Sequence, residues 1–537
     1  NVPAHRLQSV VWTKDPPPGN TLRLLHTTCR HPVPNYPVPN YRIRRQKIHR
    51  TAHLRKQPLV RILQSHSHLD RRSGTVTHRD HLSDTTTITT TRNRIHRHLC
   101  RLAMTTLRLI LGDQLNPCHS WFGEVHPDVV YVLMEIHPEM AYVLHHAQKI
   151  LAIVAGMRDF ARQLKADGHR VRYIALDDPS NRQSLTGNLD ALRAHYRASW
   201  VEYQEPDEWR LDQQLQTWAQ DVTSRQGIPC HGVSSEHFYT ERGEAAALFA
   251  GRKQWLMEHF YRQMRVKHQV LLDADNPKRP AGGQWNFDTD NRRPYPREGP
   301  GAIPPPARFA PDAVTQSVIT LVQHRFPDHP GHPLQPDDFI WPVTRVQALH
   351  ALDTFIRTRL SGFGPHQDAM WDDTPFGWHS LLSVALNLHL LHPREVVDAA
   401  QAAWRTGQAP LASVEGFVRQ VMGWRDYVWH LYWHFGPDYV NTSNALDAHV
   451  PLPAWFRDLD ADAVEARCIA TALAEVRERG WNLPVSSVNR WFAGSSWSST
   501  VCRDGGAVTR ICGGCVERMC WRGWAMCPVV VSGASGQ

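Results

Sequence analysis

The sequence has no run of about 18 or more apolar residues, so no membrane-spanning helix is expected. Its beginning lacks the basic-then-apolar pattern of a secretory signal, and a cytoplasmic location is the expectation. Cysteine is sparse and uneven. Of ten in 537 residues, four precede residue 240 (Cys29, Cys100, Cys118, Cys230), then comes Cys468, and five crowd the last 36 residues. That spread excludes a secreted disulfide scaffold. Glutamate is absent from residues 1–103, which hold 16 Arg and 3 Lys against 4 Asp, a balance of +15. The rest holds 41 basic and 47 acidic residues, a balance of −6. The net charge of +9 therefore belongs to a mildly acidic protein with a basic leader. Nucleic-acid binding cannot be read from it without a local basic cleft. A glycine-rich dinucleotide fingerprint is also missing: the first turn reads Gly112-Asp113-Gln114, which argues against a nicotinamide dehydrogenase.

What is present is long enough for two or three domains. Residues 1–103 show no sustained period, carry a Pro-rich patch at His31–Asn40 and a polar run at Thr85–Thr91, and read as disordered. A basic arm on nucleic acid is one reading of them. The expectation adopted is an inert leader, or translated upstream sequence, because Met104 directly precedes the first convincing strand. Strands are expected at Leu107–Leu111, Val129–Met134, Val171–Leu176 and Trp200–Tyr203, with helical spacing over Tyr142–Leu164. Such alternation indicates βαβ units and a parallel sheet. Gly112–Gln114 and Glu135 then fall beyond the carboxyl ends of strands, where ligands bind in such sheets.

After about residue 240, helices are expected at Glu244–Arg265, Ala313–His324, Val346–Leu360, Trp378–Leu391, Pro393–Trp404, Val414–His434 and Ala461–Arg479. The expected organisation is an α/β, Rossmann-like parallel-sheet domain over 104–240, a helix and Pro/Gly-rich connection over 241–311, and an all-α domain over 312–481. An atypical Cys-rich tail follows over 482–537.

Two segments carry candidate chemistry. In Ser361–Asn387 a glycine-containing turn leads to His379-Ser380-Leu381-Leu382-Ser383, which places two hydroxyls three residues apart on one expected helix face. Free N–H groups and serine hydroxyls at a helix start hold phosphate; an ordinary helix entry with satisfied serines reads the same way. In Glu415–His434, Arg425 follows Gly423-Trp424 inside an aromatic helix. Its planar fork suits a cofactor phosphate. Trp424, Trp429, Tyr432 and Trp433 either pack core, stack on a ring or pass electrons.

Together these segments resemble the flavin-binding helical domain of the cryptochrome/photolyase family. His379–Ser383 is similar to its Thr-Ser-x-Leu-Ser motif, with His379 in place of Thr, and Trp424-Arg425-Asp426-Tyr427 is similar to its Trp-Arg-Glu-Phe motif. Leu107–Phe122, Leu176–Asn181, Glu205–Leu211 and Gly282–Pro296 resemble the bacterial iron–sulfur photolyase-related branch. The resemblance covers Met104 to Trp481. It implies light-driven repair of pyrimidine lesions in damaged DNA by electron transfer from reduced FAD, in a monomer. Carried over by position, Ser380, Leu382 and Ser383 would hold the FAD phosphates and ribose, with Phe363, Gly364 and Gln367 in the loop beside them. Arg425 would meet the diphosphate, Trp424 would face the lesion, and Gln420 would lie nearby. Gly112, Asp113 and Glu135 would contact a lumazine-type antenna.

The branch also implies a 4Fe-4S iron–sulfur cluster on four cysteines, of which Cys468 resembles the first. After Trp481 the pattern breaks. The paired histidines that the resemblance makes the acid for (6-4) repair are missing, and Asn482–Thr500 stands in their place. Cys512-Gly513-Gly514-Cys515 and Cys527-Pro528 echo the cluster ligands, but the tail's composition reads as frame-shifted. Two alternatives to repair stay open: a cryptochrome-like photoreceptor without repair activity, and an inactive truncated copy.

Overall fold

The computed structural model describes residues 105–252, 254–369, 371, 374–436 and 454–481. The leader, the Cys-rich tail and the segment that replaces the paired histidines lie outside the described residues. Five parallel strands, β1 (Thr106–Leu109), β2 (Val129–Met134), β3 (Arg170–Ile174), β4 (Trp200–Gln204) and β5 (Cys230–Val233), lie in the order β3-β2-β1-β4-β5. All six residues of β2 are buried, as a central strand covered on both faces requires.

Alternation along the strands feeds two cores. Leu107, Val130, Val132 and Val201 pack with Leu189, Leu192 and Leu215 from the helices Leu185–Tyr196 and Trp209–Gln226. Tyr131 and Leu133 face the other way, onto Ile150, Val154 and Phe160 of the helix Ala147–Ala166. That second core does not stop at the sheet. It runs on through Val318, Phe355, Val384 and Val418, so the α/β part and the helical part share one apolar interior. No helix among the described residues is long and apolar enough to cross a membrane.

Four expected strands are present, with ends shifted by up to two residues. The edge strand β5 was not anticipated, because Cys-His-Gly-Val carries neither a long apolar run nor a clear alternation. The expected helix over Tyr142–Leu164 begins only at Ala147, where the His146 ring accepts the Gln148 N–H at 3.2 Å. Glu244–Arg265 is two helices, Glu244–Leu248 and Met257–His268, separated by a turn at Gly251 with φ of 72°. Val346–Leu360 is Arg345–Thr358 followed by Leu360–His366. Ala461–Arg479 shortens to Arg467–Arg479.

The largest correction concerns Trp378–Leu391, of which only Ser383–Asn387 is helical. Leu381 and His389 bracket that single turn, both at φ of 60°. A left-handed residue ends α-helical propagation, and neither side chain advertises that conformation. Val414–His434 is helical throughout but not uniformly. Leu411–Val418 and Arg425–Phe435 are α-helical and join through a π-helical turn at Arg419–Trp424.

Candidate functional site

Strand order changes direction between β1 and β4, and ligands bind beyond the carboxyl ends of such strands. Gly112 and Asp113 follow β1; Asp207 and Glu208 follow β4. All four line a cavity of about 780 Å³. Ligand sites span roughly 300–1,000 Å³, so this one suits a large molecule. A Cβ on Gly112 would stand 2.7 Å from Ile153 Cγ2, so glycine keeps the chain close to that helix. Burial first, and Asp207 second, push the Asp113 carboxyl up to about 7.

Glu135 departs from its expected antenna role. It is fully buried, and its two oxygens accept from Arg158 Nε at 2.7 Å, Arg158 Nη2 at 3.1 Å, the Tyr173 hydroxyl at 2.6 Å and the Leu176 N–H at 2.9 Å. With every strong acceptor direction taken, it ties β2 to the helix Ala147–Ala166 and to the loop after β3, and it does not border the cavity.

The cavity extends from the sheet to the serine segment, where Phe363, Gln367, His379, Ser380 and Ser383 line it. The two serines do not share a helix face as expected. Ser380 lies before the left-handed Leu381, and its hydroxyl accepts the Leu382 N–H at 3.3 Å. Ser383 opens the short helix, and its Oγ is buried without a partner among the described residues. Leu382 is a core residue, 1% exposed, and Gly364 is a packing residue. The Gly364 N–H donates to Ser413 Oγ at 3.2 Å, and a Cβ there would lie 2.5 Å from Ser413 Cα. Neither borders the cavity.

The third wall is the broken helix. Gln420, Val421, Trp424, Arg425, Val428, Trp429 and Tyr432 border the cavity. Behind them, Arg419 grips the buried Glu415 at 2.9 and 3.1 Å across the start of the π turn. Turns of this kind recur at functional sites. The Arg425 guanidinium lies 4.1 Å from the Phe238 ring and donates to the His237 carbonyl at 3.3 Å. Its nearest carboxylate, Asp426, is 3.8 Å away and is pushed up to about 7, chiefly by burial. Arg425 is a buried guanidinium bordering a large cavity, with Asp426 and Asp207 as its acidic neighbours, and its fork can meet an anionic ligand there.

Three of the lining residues, Asp207, His379 and His389, escaped the sequence reading of the site. Asp207 accepts the Trp429 indole N–H at 3.0 Å and lies 3.4 Å from His389 Nε2. His389 stacks on His237 with ring centroids 3.4 Å apart. His379 donates through Nε2 to the Gln367 carbonyl at 2.9 Å. Burial lowers both His379 and His389 to about 4. Asp207 and His379 stood inside quoted motifs, but nothing in their local pattern pointed to a cavity wall.

Cys468 occupies the first turn of the helix Arg467–Arg479; its side chain and the tail cysteines lie outside the described residues. Among the described residues, no three His, Cys, Asp or Glu are grouped to hold a metal ion.

The sheet with this switch point is joined to a helical wall bearing Trp424-Arg425, and the family is given by comparison of the sequence with known proteins. Residues 108–341 match the family model described as deoxyribodipyrimidine photo-lyase-related protein. Over 381 residues the chain is 39% identical to a (6-4) photolyase from Agrobacterium fabrum, covering 70% of this chain and 72% of that protein. The chain belongs to the photolyase-related family. Among solved structures it is similar to a bacterial class III photolyase from Agrobacterium tumefaciens, with 16% identity, a TM-score of 0.46 and coverage of 72% and 71% of the two chains. It is likewise similar to a cryptochrome from Synechocystis, with 13% identity, a TM-score of 0.46 and coverage of 72% and 74%.

Proposed function

We propose that the protein is a photolyase-type lyase that binds FAD in this cavity and repairs pyrimidine lesions in DNA under light. One observation carries the reading: Phe363, Gln367, Ser380, Ser383, Gln420, Trp424 and Arg425, far apart in sequence, border a single cavity of about 780 Å³. The donor set suits a flavin dinucleotide. Arg425 meets the diphosphate, the Ser383 hydroxyl has no partner among the described residues, and Phe363 and Trp429 give apolar surface for a ring. Held there by these residues and reduced, FAD would supply under light the electron that opens the lesion and would take it back afterwards. The chain's own residues bind, orient and shield. Trp424 and Gln420 face the lesion, which must leave the base stack to arrive. Gly112 and Asp113 hold an antenna at the sheet end; Glu135 supports them from behind the wall.

The alternative, a cryptochrome-like light receptor without repair, draws on the neutrality of His379 and His389. Neither ring holds the second proton of an imidazolium acid near pH 7. Repair of ultraviolet-damaged oligonucleotide by the FAD-loaded full chain separates the two. The proposal expects light-dependent repair that Trp424→Ala abolishes while flavin absorbance stays. Light-driven change in the flavin without any repair by the wild type would favour the receptor.

A further inference from the structure

Asp207 directs its two carboxylate oxygens at two different ring stacks, and both stacks end on the same guanidinium. Oδ1 accepts the Trp429 indole N–H at 3.0 Å. Trp429 lies flat on Phe238, with centroids 4.1 Å apart and planes at 13°, and the Arg425 guanidinium carbon stands 4.1 Å from the centre of that same Phe238 ring. Oδ2 lies 3.4 Å from His389 Nε2. An ionised carboxylate only accepts, so the His389 proton sits on Nε2. The His389 ring stacks on His237, with centroids 3.4 Å apart and planes at 18°, and the His237 carbonyl accepts from Arg425 Nη1 at 3.3 Å. His389 reaches this place from a left-handed backbone with φ of 60°, a conformation that a residue other than glycine keeps only where its surroundings dictate it.

We propose that Asp207 is a positioning residue of this cavity: through the two stacks it fixes where the Arg425 fork points, and so how firmly the cavity grips a diphosphate. This rests on the flavin reading and goes beyond it. The carboxylate cannot itself hold an anion; it acts through the rings. A guanidinium is strong on a diphosphate when its plane is set before the ligand arrives, because a side chain free to turn must be immobilised on binding. A ring face alone sets the plane of a guanidinium, and a carbonyl alone sets its direction. Arg425 has both, and both trace back to Asp207.

The test measures binding of two probes to the full chain: FAD, and riboflavin, which has the ring and no diphosphate. Two substitutions cut Asp207 from its stacks and keep a ring in each: Trp429→Phe removes the indole N–H, and His389→Phe removes the imidazole N–H. Neither alters a charge at pH 7, where burial keeps His389 neutral. Each is expected to weaken FAD about fivefold, as coupled neighbours in one network do, and to leave riboflavin within about twofold of wild type. In the Arg425→Ala background neither is expected to weaken FAD further, because the group they orient is gone. Riboflavin affinity also reports a folded site in every variant. Equal weakening of riboflavin and FAD would make the rings direct ligand contacts and overturn the proposal. So would a loss of FAD affinity that persists in full without Arg425, or FAD binding unchanged in either variant. If the wild type takes up neither riboflavin nor FAD, the flavin reading itself fails and this assignment falls with it.

Discussion

The indole N–H of Trp429 donates to Asp207 Oδ1 at 3.0 Å, joining the aromatic wall of the cavity to the loop that follows β4. The same carboxylate stands near His389 and raises the Asp113 carboxyl. Asp207→Asn keeps the shape and removes the charge. The Asp113 carboxyl is then expected to titrate below its value of about 7 and to stay above an ordinary aspartate, because burial is the larger cause. Carbon-detected NMR titration of the aspartate carboxyls checks this. An unchanged Asp113 titration would show that the two carboxylates do not sense each other.

Asp113 also sets a pH dependence. Its folded value of about 7 lies above its ordinary 3.8, so between these pH values the folded state holds the proton and the unfolded state does not. Its contribution to stability is full below about 3.8 and is lost as pH rises through about 7. Asp113→Asn removes this term. The variant is expected to gain on the wild type as pH climbs from 5 to about 7, by roughly 2–3 kcal/mol, and to level off above that. Denaturant unfolding of both proteins across that range measures the difference, and a flat difference would contradict it.

Glu135 is expected to matter for stability. Glu135→Gln leaves the Arg158 guanidinium beside a neutral amide in a site that is otherwise closed. Breaking a buried pair from one side costs about 3–5 kcal/mol. Arg158 is itself partly exposed, which places the loss at the lower end of that range. Thermal unfolding is expected to fall clearly, while flavin affinity of the protein that remains folded stays near wild type.

Arg425→Ala separates charge from shape. Losing charge-assisted hydrogen bonds to a diphosphate costs about 1.5–3 kcal/mol, so FAD is expected to bind roughly 10- to 150-fold more weakly. Riboflavin affinity is expected to change little. Equal weakening of both ligands in a titration would mean that Arg425 supports the ring and not the phosphates.

The sheet was legible because Val129–Met134 is a buried apolar run of the length of a strand, and because strands and helices alternate on both sides of it. The residues that mislead are those whose surroundings are distant in sequence. Glu135 sits where a ligand contact belongs, but Arg158 and Tyr173, 23 and 38 residues away, claim it first. Leu381 and His389 break a segment with sound helical spacing by adopting a left-handed conformation that neither residue type signals. Trp424 and Arg425 border the cavity, and the π turn that carries them into it has no sequence signature of its own. Asp207 and His389 are brought together only by tertiary packing.

The cavity is proposed to hold a flavin. The most direct measurement is the absorption spectrum of the full chain, purified in the dark, before and after addition of FAD and removal of the excess. The account predicts flavin bands that approach one per chain. A folded protein that stays colourless after addition would contradict it.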